Sequence, residues 1–300
     1  MSRIGRHPVA INPLQFMATP DGWFDFGAPP PAAEILAAVA EAGFGAVQAA
    51  VPAGTAPRAY ADELARWGLA VGPGYVALGW SEDAAARRGH LEQARTQAAA
   101  LAACGADLAF VGLDAAPDGA RMARPAVGLD ACDRRLDRIA AHVGAAAEIL
   151  AAEGVTAALH PHVGTWIETG QECARVLDLA GPALGFGPDV GHLAWAGADV
   201  PGLVGRYRPR VAGLHLKDMS RAVADEARAA GLDYRGTVAA GLWREPGDGD
   251  LEPAALVAAL GPTDDCWLVV EVDHSALPPR DSVLRCGRWV QAVDAAFRAG

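Results

Sequence analysis

The sequence predicts a single closed parallel (β/α)8 barrel, and three observations carry that prediction. Eight short aliphatic segments recur along the chain, each followed by a stretch with helical patterning. The aliphatic segments are nearly continuous rather than alternating, as strands buried on both faces are. No Pro- or Ser-rich linker divides the 300 residues, so residues 1–300 read as one domain.

In chain order the strands read "PVAINP", "FGAVQAAV", "LAVGPGYVAL", "DLAFVGL", "VTAALH", "ALGFGPD", "VAGLHLKD" and "WLVVEVD". The helices between them read "AAEILAAVAEAG", "ADELARWG", "HLEQARTQAAALAACG", "DRRLDRIAAHVGAAAEILAAEG" and "CARVLDLAG", then "VPGLVGRY", "EPAALVAALG" and "VLRCGRWVQAVDAAFRAG". Several end in Gly, the expected helix stop. Residues 219–250 read as the longest irregular stretch, a loop near the mouth of the barrel. Loops of that length in compact domains are usually functional. Asp250 reads as the cap of the helix beginning near Pro253.

Composition excludes several classes. Hydrophobic residues make up 52% of the chain, enough for a sizeable core. No apolar run reaches the roughly 20 residues of a membrane helix. The start of the chain lacks the apolar region of a signal peptide, so a cytoplasmic protein is expected. Five scattered cysteines without a C-x-x-C pair indicate reduced thiols. A net charge of −11 with dispersed Lys and Arg argues against a nucleic-acid partner. No G-x-G-x-x-G follows the first strand and no G-x-S-x-G elbow occurs, so nicotinamide and serine-hydrolase chemistry have no support.

Active sites of such barrels lie at the C-terminal ends of the strands. The fifth strand ends in His160 and His162, followed by Glu168, and the sixth in Asp189 and His192. The seventh ends in His215, Lys217 and Asp218, and the eighth in Glu271, Asp273 and His274. Five of the eight histidines fall at these positions. Each residue alone has an ordinary structural explanation, but four consecutive strand ends rich in imidazole and carboxylate point together to a divalent metal site. That donor set suits Mn, Fe, Co, Ni or Zn, while Mg prefers oxygen ligands.

"DVGHLAWAG", "HLKD", "GDGDLEP" and "WLVVEVD" resemble the xylose-isomerase-like TIM-barrel superfamily of sugar phosphate isomerases and epimerases. Within it, "HPHVGTWIET" with "GHLAWAGAD" is most similar to the inosose (2-keto-myo-inositol) dehydratases. These motifs span residues 159–273, whereas the first half agrees only in rhythm and in the early "INP". The resemblance implies one divalent metal, with manganese or cobalt favoured, held by His160, Asp189, His215 and Glu271. It also implies that His192 contacts substrate or supports those ligands. Many isomerases of the superfamily carry Glu where this chain has His160. The exchange removes a candidate base for two-base epimerisation and leaves β-elimination open.

His162, on the same side of the strand end as His160, reads as a substrate contact or acid/base. Lys217 reads as an oxyanion donor, as a base if desolvation lowers its pKa, or as the ion-pair partner of Asp218 or Glu271. Glu168 reads as the base or as a helix cap. Trp166 reads as an apolar wall for a sugar ring or as loop packing. Asn12 and Gln15 read as hydroxyl contacts or as hydrogen bonds of the barrel mouth.

The functional expectation is a metal-dependent lyase that dehydrates a keto-cyclitol or keto-sugar such as 2-keto-myo-inositol. Its alternatives are an isomerase or epimerase using the same enediolate, and a 3-keto-glycoside β-eliminase. A zinc-dependent DNA-repair endonuclease would need a basic groove, which this acidic chain lacks. A non-catalytic scaffold would not need the ligand set. The expected partner is a small-molecule substrate, with no nucleic acid and no membrane. Homo-oligomers are implied by resemblance alone.

Overall fold

A computed structural model of the protein describes residues 1–114, 119–261 and 266–299. Eight parallel strands form a nearly closed barrel: β1 His7–Asn12, β2 Ala46–Ala49, β3 Ala70–Leu78, β4 Leu108–Leu113, β5 Thr156–Leu159, β6 Leu184–Phe186, β7 Gly213–Leu216 and β8 Trp267–Glu271. Seven neighbouring pairs are joined by ladders, running β7-β8-β1-β2-β3-β4-β5-β6. The seam between β6 and β7 is closed by two parallel bridges, Phe186 to Val211 and Asp189 to His215. This is the (β/α)8 barrel predicted from the sequence.

The outer layer consists of α1 Ala32–Glu41, α2 Pro57–Arg66, α3 Ala84–Cys104, α4 Asp133–Ala152, α5 Gly170–Leu179, α6 Val200–Arg206, α7 Pro253–Leu260 and α8 Pro279–Ala299. One hydrophobic cluster fills the space between strands and helices, with Val76, Leu101, Ile139 and Leu150 among its members. A second, smaller cluster of Ala10, Ala46, Leu108, Phe110, Ala158 and Val269 plugs the barrel interior. Helix α3 begins six residues before the "HLEQ" pattern because Asp83 caps it, accepting the Ala86 N–H at 2.7 Å. Its stop is the predicted Gly105, at φ +95°. Gly300, read as the end of the last helix, lies outside the described residues. No helix among the described residues is long and apolar enough to cross a membrane.

Residues 219–250 are not the irregular loop expected. They contain helices Arg221–Ala230 and Tyr234–Ala239, and a two-stranded ribbon pairs Asp218–Met219 with Trp243–Arg244. Ser220 caps the first helix and Gly231 ends it. Asp250 does not cap α7; its carboxylate accepts the Arg221 N–H at 2.8 Å. The "GDGD" turn is gathered instead by Asp218, whose buried carboxylate accepts N–H groups from Met219, Gly247, Gly249 and Leu251.

Candidate active site

Side chains alternate faces along a strand, so residues two positions beyond the interior plug form the next layer towards the strand C-termini. Ala10 is followed by Asn12, Ala46 by Gln48, Phe110 by Gly112, Ala158 by His160 and Val269 by Glu271. His215 joins this layer from β7, its ring 4.5 Å from that of His160 and 4.2 Å from that of Phe110. The polar layer therefore rests on an apolar floor, and nearly all of it is buried.

At its centre is Lys217, with no solvent exposure. Its Nζ lies 2.6 Å from Glu271 Oε1, 3.1 Å from Asp189 Oδ2 and 2.9 Å from Asp273 Oδ1. It donates hydrogen bonds to Asp273 Oδ2 at 3.0 Å and His192 Nε2 at 3.1 Å. Desolvation works to lower its pKa, but Asp189, Asp273 and Glu271 outweigh it and hold the ammonium charged well above its ordinary range. Of the readings open for Lys217, the structure shows the ion pair with Glu271, and the pairing with Asp218 is corrected, because that carboxylate is occupied by backbone.

Asp189 divides its two oxygens between tasks. Oδ1 accepts the His192 N–H at 2.9 Å and caps the short helix Val190–Trp195, while Oδ2 faces Lys217 without hydrogen-bonding geometry. Burial pushes this carboxyl up to about 7, with Lys217 pulling the other way. Desolvation lowers His160, His162, His192 and His215, which keeps the imidazoles neutral. Three carboxylates against one ammonium leave a formal charge of −2, which one divalent cation would balance.

The polar atoms left without a hydrogen-bond partner fit that count. Within the cluster, buried His160 Nδ1, His215 Nδ1, Asp189 Oδ2 and Asp273 Oδ1 have none. His215 Nε2 lies 2.8 Å from Gln48 Oε1, an acceptor, so Nε2 carries the proton and Nδ1 keeps its lone pair. Such a fixed tautomer is what a metal-ligating histidine requires. Asn12 Nδ2 donates to Glu271 Oε2 at 2.5 Å and steadies that carboxylate. Among the described residues, the group of three whose ligand atoms all lie within 4.8 Å of one another is a different one, His162, His192 and Asp273; His160, Asp189, His215 and Glu271 are not gathered that closely. Lys217 already hydrogen-bonds two members of that group of three.

His162 Nδ1 lies 2.8 Å from the Val163 carbonyl, which can only accept. Its proton therefore sits on Nδ1, and the Nε2 lone pair is free. The His162 ring stacks on His192 at 3.5 Å between centroids, and Tyr234, Trp195 and Trp243 extend an aromatic wall around them. Trp243 also lies under the Lys217 ammonium, 4.9 Å from its ring centre.

Three expected site residues do not join this cluster. Glu168 is neither base nor helix cap, because its buried carboxylate accepts N–H groups of Gly164, Ala126 and Gly128. The α5 cap is Thr169, in a reciprocal capping box with Glu172. Trp166 stacks under the Arg135 guanidinium, 4.9 Å away, and is not a wall of the site. Gln15 donates to Ser282 on α8 at 3.3 Å, so its amide is structural. Sequence reading missed Gln48 and Tyr75, both interior-facing within aliphatic runs, and Tyr234 and Trp243, which come from the misread 219–250 segment.

Glu172 also anchors the loop carrying His160 and His162. It pairs with buried Arg121 at 2.6 Å and accepts the Glu168 and Thr169 N–H groups, while Arg121 donates to the carbonyls of Thr165 and Leu129. Glu172→Ala strands a buried guanidinium, so unfolding free energy by urea titration is expected to drop by about 3–5 kcal/mol. A loss below 1 kcal/mol would show that the pair does not hold the loop.

A family model described as xylose isomerase-like TIM barrel matches residues 36–292. The inosose dehydratase of Lactiplantibacillus plantarum is 34% identical over 144 residues, 47% of this chain and 48% of the relative. The rhizopine catabolism protein MocC of Rhizobium meliloti is 35% identical over 129 residues, 43% of this chain and 40% of the relative. The chain thus spans less than half the length of these curated relatives. Among solved structures, a xylose isomerase-like TIM barrel protein from Mycobacterium smegmatis in complex with magnesium superposes with a TM-score of 0.69 at 20% identity, covering 99% of both chains. The probable 3-DHS dehydratase AsbF of Bacillus anthracis superposes with a TM-score of 0.68 at 14% identity, over 95% of this chain and 98% of that one. At those identities the superpositions show a shared fold.

Proposed function

The chain belongs to the xylose isomerase-like TIM-barrel family, and from that premise we propose that it is a metal-dependent lyase that dehydrates a keto-cyclitol, with 2-keto-myo-inositol the favoured substrate. The observation that carries this reading is the pairing of one neutral base, His162, with one fixed cation, Lys217. The similarity to inosose dehydratases supports the same choice.

His160, Asp189, His215 and Glu271 are the proposed ligands of one divalent ion, manganese or cobalt by preference. Three of the buried hydrogen-bond orphans, His160 Nδ1, His215 Nδ1 and Asp189 Oδ2, lie in this set, and a fourth, Asp273 Oδ1, lies beside it. When bound, such an ion supplies Lewis-acid polarisation of a ketone oxygen and its neighbouring hydroxyl. His162 Nε2 takes the proton α to the ketone. Lys217, held charged, stabilises the negative charge that develops on oxygen without giving up its proton. The His162 imidazolium then returns its proton to the β-hydroxyl as the carbon–oxygen bond breaks, and water leaves. One histidine on one face thus completes a syn elimination. Epimerisation needs bases on both faces of the carbon, and Lys217, ringed by Asp189, Asp273 and Glu271, is placed as a charged donor rather than as a second base.

The test follows 2-keto-myo-inositol by NMR in D2O, with protein stripped of metal and then resupplied with Mn²⁺ or Co²⁺. Metal-dependent appearance of the dehydrated diketone is expected. Deuterium entering the α-carbon without water loss would move the assignment to an isomerase or epimerase.

A further inference from the structure

The polar layer has a gap at β4. β1, β2, β5, β7 and β8 each present a polar side chain to it, but β4 presents Gly112. The gap is filled from the neighbouring strand. A Cβ built on Gly112 would lie 2.0 Å from the Tyr75 hydroxyl oxygen, so that hydroxyl already occupies the space.

Tyr75 faces the barrel interior because its neighbour faces the helices: a Cβ on Gly74 would lie 2.4 Å from Leu101 of α3. The Tyr75 ring meets His160 edge-on, 5.6 Å between centroids. It is nonetheless 36% exposed, far more than the residues around Lys217. The field of Glu271, Lys217 and Asp189 reaches it, and burial within the protein holds its hydroxyl protonated above the ordinary phenol range. Among the described residues, no group pairs with its hydroxyl. In the strand order β3 stands opposite β7, which places Tyr75 on the wall facing Lys217.

Charge narrows what can bind between those walls. Lys217 is committed to three carboxylates, and Arg121 is committed to Glu172. No further cation approaches the cluster among the described residues, and residues 115–118 and 262–265 contain no Lys or Arg. With a divalent ion balancing the cluster, a phosphate or carboxylate on the substrate would find no side-chain cation beyond Lys217 to pair with among the described residues.

We infer that Tyr75, seated in the space Gly112 leaves, is a substrate-binding residue that hydrogen-bonds a hydroxyl of an uncharged polyhydroxylated ring, and that the site selects such rings against phosphorylated or carboxylated ones. This rests on the lyase reading for the choice of ring and deepens it by naming the wall that holds the substrate.

The experiment measures binding by calorimetry to metal-replete protein, with 2-keto-myo-inositol, myo-inositol and glucose 6-phosphate as probes, alongside turnover of the first. Tyr75→Phe is expected to raise the Kd and KM for 2-keto-myo-inositol about tenfold with kcat within about twofold and an unchanged melting midpoint. Gly112→Ala is expected to weaken binding at least as much although the hydroxyl is retained, because the new methyl takes its place. Glucose 6-phosphate is expected to bind the wild-type protein at least about tenfold more weakly than the uncharged ketone. Equal Kd in wild type and Tyr75→Phe would overturn the Tyr75 assignment, and comparable binding of the phosphate would overturn the charge selection. Tyr75-dependent binding without turnover would support this inference and sink the lyase reading alone. A wild-type protein that binds neither uncharged ring would sink both.

Discussion

Lys217→Met is expected to lower kcat/KM for 2-keto-myo-inositol by about 10³-fold or more while divalent-cation binding is kept or tightened. The two halves of that expectation have one cause. The ammonium is the only fixed positive charge among three buried carboxylates, and Met fills much of the same volume without it. In the transition state, negative charge accumulates on the ketone oxygen, and preorganised positive charge in a dry site is commonly worth about 10²–10³-fold per donor. Losing a full charge belongs at the upper end of that range or beyond. In the resting protein the same loss leaves three carboxylates uncompensated, so a cation gains affinity. Calorimetric titration with Mn²⁺, set beside the NMR assay, separates the two effects. A variant that turns over at more than about a tenth of the wild-type rate would remove Lys217 from the chemistry. A variant that binds no cation at all would point to collapse of the site instead.

The legibility of this site in the sequence followed the contrast between each residue and its neighbours. His160, His215 and Glu271 interrupt aliphatic runs, so their positions at strand ends were visible, and the structure brings them together around Lys217. Gln48 and Tyr75 are on the same interior register but sit inside "FGAVQAAV" and "LAVGPGYVAL", where a single polar or aromatic residue reads as strand. Only the closed barrel shows that Gln48 rises one layer above the apolar plug and that the Tyr75 hydroxyl reaches the space beside Gly112. Gly112 carries no chemistry of its own, and its role depends on a neighbouring strand. Glu168 failed for the opposite reason. It lies six residues from His162 in the chain, yet the intervening turn, with Thr165 Oγ1 donating to the His162 carbonyl, carries it away to anchor loop amides. The helix in "RAVADEARAAG" had a Ser cap and a Gly stop in plain view. The long gap between strands outweighed those local signals, and with that helix the aromatic cover of the site was lost.

Asp189→Asn is expected to weaken Mn²⁺ binding by about 100-fold or more and to lower turnover by about 10³-fold, with the melting midpoint in chelator changed by no more than a few degrees. The substitution is chosen because Asp189 holds two separable tasks. Its Oδ1 caps helix Val190–Trp195 by accepting the His192 N–H, which an Asn carbonyl oxygen does equally well. The helix that seats His192 against Lys217 should therefore stay in place. Oδ2 is the oxygen without a hydrogen-bond partner, and the amide nitrogen that replaces it can neither bind a cation nor carry charge. Formal charge in the cluster falls from −2 to −1, so a divalent ion would overcompensate where it now balances. Because burial already pushes Asp189 up towards neutrality, loss of its charge relieves strain in the cation-free protein rather than adding to it. Unchanged Mn²⁺ affinity in Asp189→Asn would move the cation out of the proposed ligand set and towards His162, His192 and Asp273, whose ligand atoms lie within 4.8 Å of one another.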